Sequence, residues 1–249
     1  MSERDRERTI RRKLVHSGPL GPPAVIPTGF TALDRALGAG GLPRGSIVEL
    51  FGGASSGKST LALQMVAHAQ SAGFTAAWVD AEHALDAAWA SALGVAIEQM
   101  PVAKPETAEQ ALEMARQLAA SRAVDLVVVD SAAALIPRLE LEAGIGDSGP
   151  GLQSRVLASG LRPLAHIVSR SGAVVVFLNQ LRSRPEIPGE EPETTAGGPP
   201  LKLHAAVRIA LEPRAPGRIR FRILKNKAAE GCGEGDLRVR EGGGFEKSP

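Results

Sequence analysis

The residues GGASSGKST at positions 52–60 satisfy the spacing G-x-x-x-x-G-K-[ST] through Gly52, Gly57, Lys58 and Ser59. The chemistry open to such a run is the holding of a nucleoside triphosphate. Glycines let the backbone wrap closely around phosphate oxygens. Successive backbone N–H groups, with the positive end of the following helix dipole, then make an anion cradle that no side chain has to build. Lys58 adds a mobile point charge for the β- and γ-phosphates, and the Ser59 hydroxyl can ligate Mg2+. The flanks fit this use: SIVELF (46–51) reads as a strand and residues 59–70 as an amphipathic helix, which sets the run apart from a chance glycine-rich turn.

Two carboxylates and an amide stand where such a site needs them. Asp130 follows four apolar residues, the position from which a strand-ending carboxylate orders Mg2+ or its water shell. Glu82 ends a second strand-like run, TAAWVDAE (75–82), near where a γ-phosphate sits in an open sheet that binds ligands at the carboxyl ends of its strands. It can polarise an attacking water, or it can be a helix N-cap or a surface acid. Gln180 closes AVVVFLNQ (173–180) and can either sense the γ-phosphate through its amide or cap its strand.

These groups are spaced by alternating strand-like and helix-like runs, which predicts an α/β fold with a mainly parallel central sheet and helices on both faces. Residues 106–120 read as an Ala/Leu-rich helix and 125–131 as a strand buried on both faces. Leu152, Val156, Leu161, Leu164 and Val168 mark an amphipathic helix. After a proline- and glycine-rich stretch (183–200), residues 204–211 and 217–227 read as strands of an antiparallel β extension near the C-terminus. Within the latter, RIRFRI (218–223) alternates arginine with apolar residues, so one strand face is expected to be cationic; it suits a phosphate, an acidic partner or plain solvent.

A chain of 249 residues with 43% hydrophobic content accommodates one sizeable α/β domain. A formal charge of +2 and a pI near 8.9 mean that nucleic-acid binding must come from local patches and not from bulk charge. The single Cys232 excludes an intramolecular disulfide and fits a reducing cytoplasm. No apolar run approaches the ~18–20 residues of a membrane span, and the charged N-terminus does not suit a signal peptide; a cytoplasmic protein without a membrane partner is expected. The expected organisation is a basic arm and Pro-rich tether (1–27), a nucleotide-binding core (28–245) and a short tail (246–249). The arm, six basic side chains between Arg4 and Lys13 interleaved with acids, suits nucleic acid, a partner or a solvated terminus.

The runs ALGAGGLPRG, SSGKST, DAEHALD, LVVVDSAAAL, IGDS, FLNQLR, PETTAGG, LKLHAAVR and LKNKAA occur in this order. On these motifs the chain resembles the bacterial RecA recombinase family over residues 25–245, and several of the runs are peculiar to that family and not to phosphate-loop proteins at large. The resemblance implies a RecA-like phosphate-loop core using ATP and Mg2+, with Gly52, Gly53, Ala54, Ser55, Ser56, Gly57, Lys58, Ser59 and Thr60 as the nucleotide loop. It implies Glu82 as the catalytic glutamate, Asp130 as the Mg2+-side aspartate beside Ser59, and Gln180 as the γ-phosphate sensor. Trp89 falls where the family stacks an aromatic on adenine. Lys225 and Lys227 match a pair that reaches into the neighbouring subunit's ATP, which implies a site completed by oligomerisation.

The same resemblance implies single-stranded DNA on two loops, 143–151 and 182–198. Gly197 and Gly198 retain a glycine pair that offers N–H groups to phosphates, and Arg155, Arg162 and Arg182 retain basic positions on or beside the loops. The loops depart from the family where bulky wedges are usual: Pro150 and Pro185 stand there, and Gly189 replaces an aromatic. Arg182 and Arg184 against Glu186, Glu190, Glu191 and Glu193 make the second loop acidic. The family's N-terminal docking unit and C-terminal regulatory domain are not matched. The resemblance therefore implies a DNA-dependent ATPase of homologous recombination, DNA repair and the SOS response, acting as a homo-oligomer. Alternatively, it implies an ImuA-type accessory protein of translesion-synthesis mutasomes, with RecA or an error-prone polymerase as partner.

Overall fold

The computed structural model describes residues 25–143, 151–183, 193–230 and 233–246. Val25–Ile26 (β1), read from sequence as the end of the tether, instead pair antiparallel with Leu42–Pro43 (β2) around the helix Thr31–Ala36 (α1). Then follow β3 (Ser46–Gly52), α2 (Lys58–Ser71), β4 (Ala76–Asp80), α3 (Ala87–Ala92), β5 (Val102–Ala103), α4 (Ala108–Ala120) and β6 (Leu126–Asp130). The second half adds α5 (Arg138–Glu142), α6 (Leu152–Ser171), β7 (Val174–Ser183), β8 (Glu193–Thr195), α7 (Pro199–His204), β9 (Val207–Pro213), β10 (Arg218–Asn226) and β11 (Glu234–Arg238).

The main sheet runs β11-β10-β9-β3-β7-β6-β4-β5. Every pairing from β9 to β5 is parallel; β10 and β11 are antiparallel, as the sequence predicts for the C-terminal extension. Alternation along the strands builds a core on each face. Val48 and Leu50 of β3 and Val174, Val176 and Leu178 of β7 join Leu61, Met65 and Val66 of α2. Ile47, Val175 and Phe177 face the other way, onto α4 and α6. Those two helices cross closely at Gly160, where an added Cβ would lie 2.6 Å from Leu112 Cδ1.

Several element bounds differ from expectation for identifiable reasons. The helix read from residue 106 begins at Ala108 because Thr107 caps it, its hydroxyl accepting from Gln110 N at 3.2 Å. The strand read from 204 begins at Val207, since Pro199 and Pro200 start the short α7 and extend helix to His204. Gln180 does not close its strand. β7 runs on to Ser183, leaving the central sheet after Gln180 to pair with β8.

The arginines of RIRFRI do not form a free cationic face. Arg218 meets Asp236 and Arg220 meets Glu234 on β11, while Arg222 meets Glu212 on β9. The neighbouring strands supply the acids that the hexapeptide lacks, so the face is charge-balanced.

Candidate active site

β3 ends at Gly52, where the close approach of β9 leaves room only for glycine: a Cβ on Gly52 would lie 2.3 Å from Leu211 O. The loop then needs left-handed backbone at Ser55 (φ 54°) and Gly57 (φ 84°), and Gly57 forms the N-cap of α2. Gly57 is also held from outside. Its Cβ position lies 2.6 Å from Phe245 Cζ, while Gln64 on α2 donates to Phe245 O (3.0 Å) and accepts from Phe245 N (2.7 Å). A turn near the end of the described chain thus clasps the phosphate-loop helix, an arrangement no local signal in the sequence announces.

Lys58 folds its ammonium back over the loop, donating to Gly53 O (2.7 Å), Gly52 O (3.3 Å) and Ser56 Oγ (3.3 Å). Burial pushes its pKa down, and the charges of Asp130 and Glu82 oppose that shift. Asp130, at the end of β6, is pushed up to about 6, chiefly by burial; the Ser59 hydroxyl bonds to it and resists the shift, Glu82 and Asp80 add to it, and Lys58 opposes it. Lys58, Ser59, Glu82 and Asp130 are therefore brought together at the carboxyl ends of the parallel strands β3, β6 and β4. Gln180 is exposed on β7 and in register with Gly52 on β3.

Glu82 does not end β4, which stops at Asp80. The chain turns there because Ala81 N and Glu82 N both donate to Asp130 O, at 2.7 and 3.0 Å, and the buried Asp80 carboxylate accepts from Ala84 N (3.1 Å) and Leu85 N (3.2 Å). Glu82 is thereby exposed at the mouth of the site, and Ser131 donates its hydroxyl hydrogen to Glu82 Oε1. Ser131 and the structural role of Asp80 were not singled out from sequence; their adjacency to Asp130 and Glu82 in the chain was the available signal.

Trp89 lies half-buried on α3, whose N-cap Asp86 accepts from Trp89 N at 3.0 Å. The indole meets the Gly242–Gly244 turn, where a Cβ on Gly243 would lie 2.3 Å from Trp89 Cη2. Lys225 and Lys227 belong to a different part of the chain, on and just after β10. Lys225 Nζ donates to Lys202 O (2.7 Å) and Leu203 O (3.1 Å) at the C-terminal end of α7, a favourable place for a cation. Burial lowers the His204 pKa, and Lys225, Lys227 and Arg162 add to the effect, so Arg162 belongs to the same positive cluster.

Gly197 and Gly198 (φ 78° and 73°) pack on the first turns of α6: Cβ positions there lie 2.3 Å from Leu157 Cδ1 and 3.2 Å from Ser154 Oγ. Arg155 is exposed on that same turn, and Arg182 is exposed on β7 opposite Thr194. Pro150, Arg184, Pro185, Glu186, Gly189, Glu190, Glu191, Cys232 and the basic arm lie outside the described residues.

The RecA N-terminal domain family matches residues 22–243. The chain belongs to the RecA family. Its RecA relatives include Protein RecA 1 of Myxococcus xanthus, 46% identical over 235 residues, covering 90% of this chain and 68% of the relative. Protein RecA of Caldanaerobacter subterraneus subsp. tengcongensis is 47% identical over 232 residues, with coverage of 90% and 68%. Protein RecA of Thermus thermophilus is 46% identical over 232 residues, with coverage of 89% and 68%. Among the described residues of this RecA family member, no helix is long and apolar enough to cross a membrane.

Proposed function

We propose that this chain is a DNA-dependent ATPase of recombinational DNA repair that binds ATP with Mg2+ and single-stranded DNA and works as a homo-oligomer in the cytoplasm, within the SOS response. The observation that carries the reading is the meeting of Lys58, Ser59, Glu82 and Asp130 beside a loop that turns through left-handed backbone at Ser55 and Gly57 into the start of α2.

Lys58 is satisfied by loop carbonyls and a hydroxyl, weak partners for an ammonium that phosphate oxygens can replace. Ser59 and Asp130 offer hard oxygen ligands in a pocket with surplus negative charge, a donor set that suits Mg2+. Ser59 and Asp130 would hold that ion, which when bound would supply positive charge to offset that of the phosphates. Glu82 orients the attacking water with the carboxylate oxygen that Ser131 leaves free. Gln180 presents its amide to the γ-phosphate, and Trp89 supplies an aromatic face for the base. Lys225 and Lys227 act on a neighbouring subunit's ATP, where a cation supplied in trans stabilises developing charge. Gly197, Gly198, Arg155, Arg162 and Arg182 contact the DNA backbone without sequence preference.

The test is ATP hydrolysis with and without long single-stranded DNA, scored beside filaments in electron micrographs. Stimulated turnover with assembly is expected. If DNA neither stimulates turnover nor assembles the protein at low salt, the recombinase reading fails and an ImuA-type accessory role, with RecA or an error-prone polymerase as partner, becomes the better account.

A further inference from the structure

The adjacent parallel strands β9, β3 and β7 each bury one polar side chain in the sheet interior: Arg208 on β9 and Glu49 on β3 stand directly opposite each other, and Asn179 on β7 lies two residues further along, opposite Phe51. Glu49 and Asn179 are 0% exposed and Arg208 is 8% exposed. Arg208 Nε donates to Glu49 Oε2 at 2.5 Å, and its guanidinium lies 4.5 Å from the Phe51 ring centroid. Asn179 Nδ2 donates to Glu49 Oε1 (2.9 Å) and to Ala196 O (3.1 Å), and Asn179 Oδ1 accepts from Gln180 N (2.9 Å). The amide's orientation follows from its partners: two acceptors face the nitrogen and one donor faces the oxygen, so a flip would oppose like groups at three contacts.

A buried ion pair is a poor route to stability, because well-packed apolar residues serve as well or better. Its members here each adjoin a group of the candidate site. Asn179 immediately precedes Gln180, and Ala196, which it holds, immediately precedes Gly197. Ala196 N donates back to Gln180 O at 3.0 Å. Arg208 stands opposite Lys225 across β9 and β10, and Glu49 lies on the strand that feeds the phosphate loop.

Resting on the nucleotide reading above, we propose that Asn179 is a positioning residue that couples the γ-phosphate to the candidate DNA glycines. Anchored to β3 through Glu49, its amide holds Gln180 and Ala196 as one unit. A movement of Gln180 toward nucleotide then carries the stem of the second loop, and Gly197 with it. Asn179 touches neither ligand.

The experiment compares wild type with Asn179→Ala, Asn179→Asp and the double variant Asn179→Asp/Glu49→Gln, using a non-hydrolysable ATP analogue with Mg2+. The readouts are thermal stability, analogue affinity, hydrogen exchange over residues 193–198 with and without analogue, and hydrolysis of ATP itself with and without single-stranded DNA. Wild type should show analogue-dependent protection of 193–198. Asn179→Ala should bind the analogue within about threefold of wild type, lose that protection, and lose about tenfold of DNA-stimulated turnover. The double variant restores a donor–acceptor pair between positions 49 and 179 and keeps one negative charge in the network, moved from position 49 to 179, but leaves Ala196 O without its donor. It should therefore recover stability without recovering coupling, whereas a merely structural role would return both together. Protection and stimulation that persist in Asn179→Ala, or return in the double variant, overturn the proposal. Should Asn179→Ala fail to fold, the double variant decides alone. Failure of wild type to bind the analogue sinks the nucleotide reading itself; wild type that binds without protecting 193–198 sinks the coupling and leaves that reading standing.

Discussion

Ser131 donates its hydroxyl hydrogen to Glu82 Oε1, and the carbonyl of the preceding residue, Asp130, accepts from the backbone of both Ala81 and Glu82. An exposed carboxylate is thereby fixed from the neighbouring strand end. Ser131→Ala should lower the maximal rate of ATP turnover about tenfold while leaving nucleotide affinity within about twofold. Steady-state kinetics with calorimetric binding measures both, and wild-type turnover in the variant would mean that Glu82 needs no such support.

Lys58→Ala should abolish nucleotide binding, because its ammonium is the charge held over the loop carbonyls of Gly52 and Gly53. Retained binding of a fluorescent ATP analogue would refute the pocket assignment.

A site shared between subunits has a mixing signature. Lys58→Ala subunits keep Lys225 and Lys227, and Lys225→Ala subunits keep an intact phosphate loop. Each alone should be inactive, yet in an equal mixture about one interface in four pairs an intact loop with an intact lysine. Recovery of turnover on mixing is expected; its absence would place the lysines outside the reaction.

Asp130 gives the metal-free protein a pH dependence. Its carboxyl, raised to about 6 mainly by burial, holds a proton more tightly in the folded than in the unfolded chain. The stabilisation is complete below the ordinary value of 3.8 and is lost as pH rises through about 6. Asp130→Asn should accordingly raise the melting temperature of the metal-free protein near pH 8, have little effect near pH 4, and weaken Mg2+-dependent nucleotide binding. Calorimetric melts across that range check the sign.

The sequence made the chemistry at the strand ends legible, and its blind spots have physical causes. Lys58, Ser59 and Asp130 are readable because a phosphate loop and a strand-ending carboxylate are local patterns. Glu82 reads as a strand end in the sequence, although the strand stops two residues earlier; the turn depends on Asp130 O, which lies on another strand. Arg218, Arg220 and Arg222 looked like a cationic face because their acidic partners sit on β9 and β11 and not in the hexapeptide. The contact of Phe245 with Gly57 and the Glu49–Asn179–Arg208 network were invisible for the same reason: they join residues far apart in the chain through positions that look like ordinary strand or tail.

The Phe245 clasp is open to direct measurement. Phe245 is 2% exposed and packs edge-on against Phe30 with ring centroids 6.3 Å apart. Phe245→Ala should cost roughly 3–5 kcal/mol of stability. The loss should be felt at the phosphate loop as weaker nucleotide binding, whereas a remote surface tail would give neither effect.

That clasp also orders the site in time. β3 delivers the phosphate loop early in synthesis, yet its two neighbours in the sheet are β7 and β9, and the ring beneath Gly57 arrives only with residue 245. On the ribosome the glycine-rich loop emerges long before the surfaces that shape it, so a nascent chain carries the nucleotide signature without a nucleotide pocket. On the nucleotide reading, affinity for ATP should appear only once residue 245 has been made.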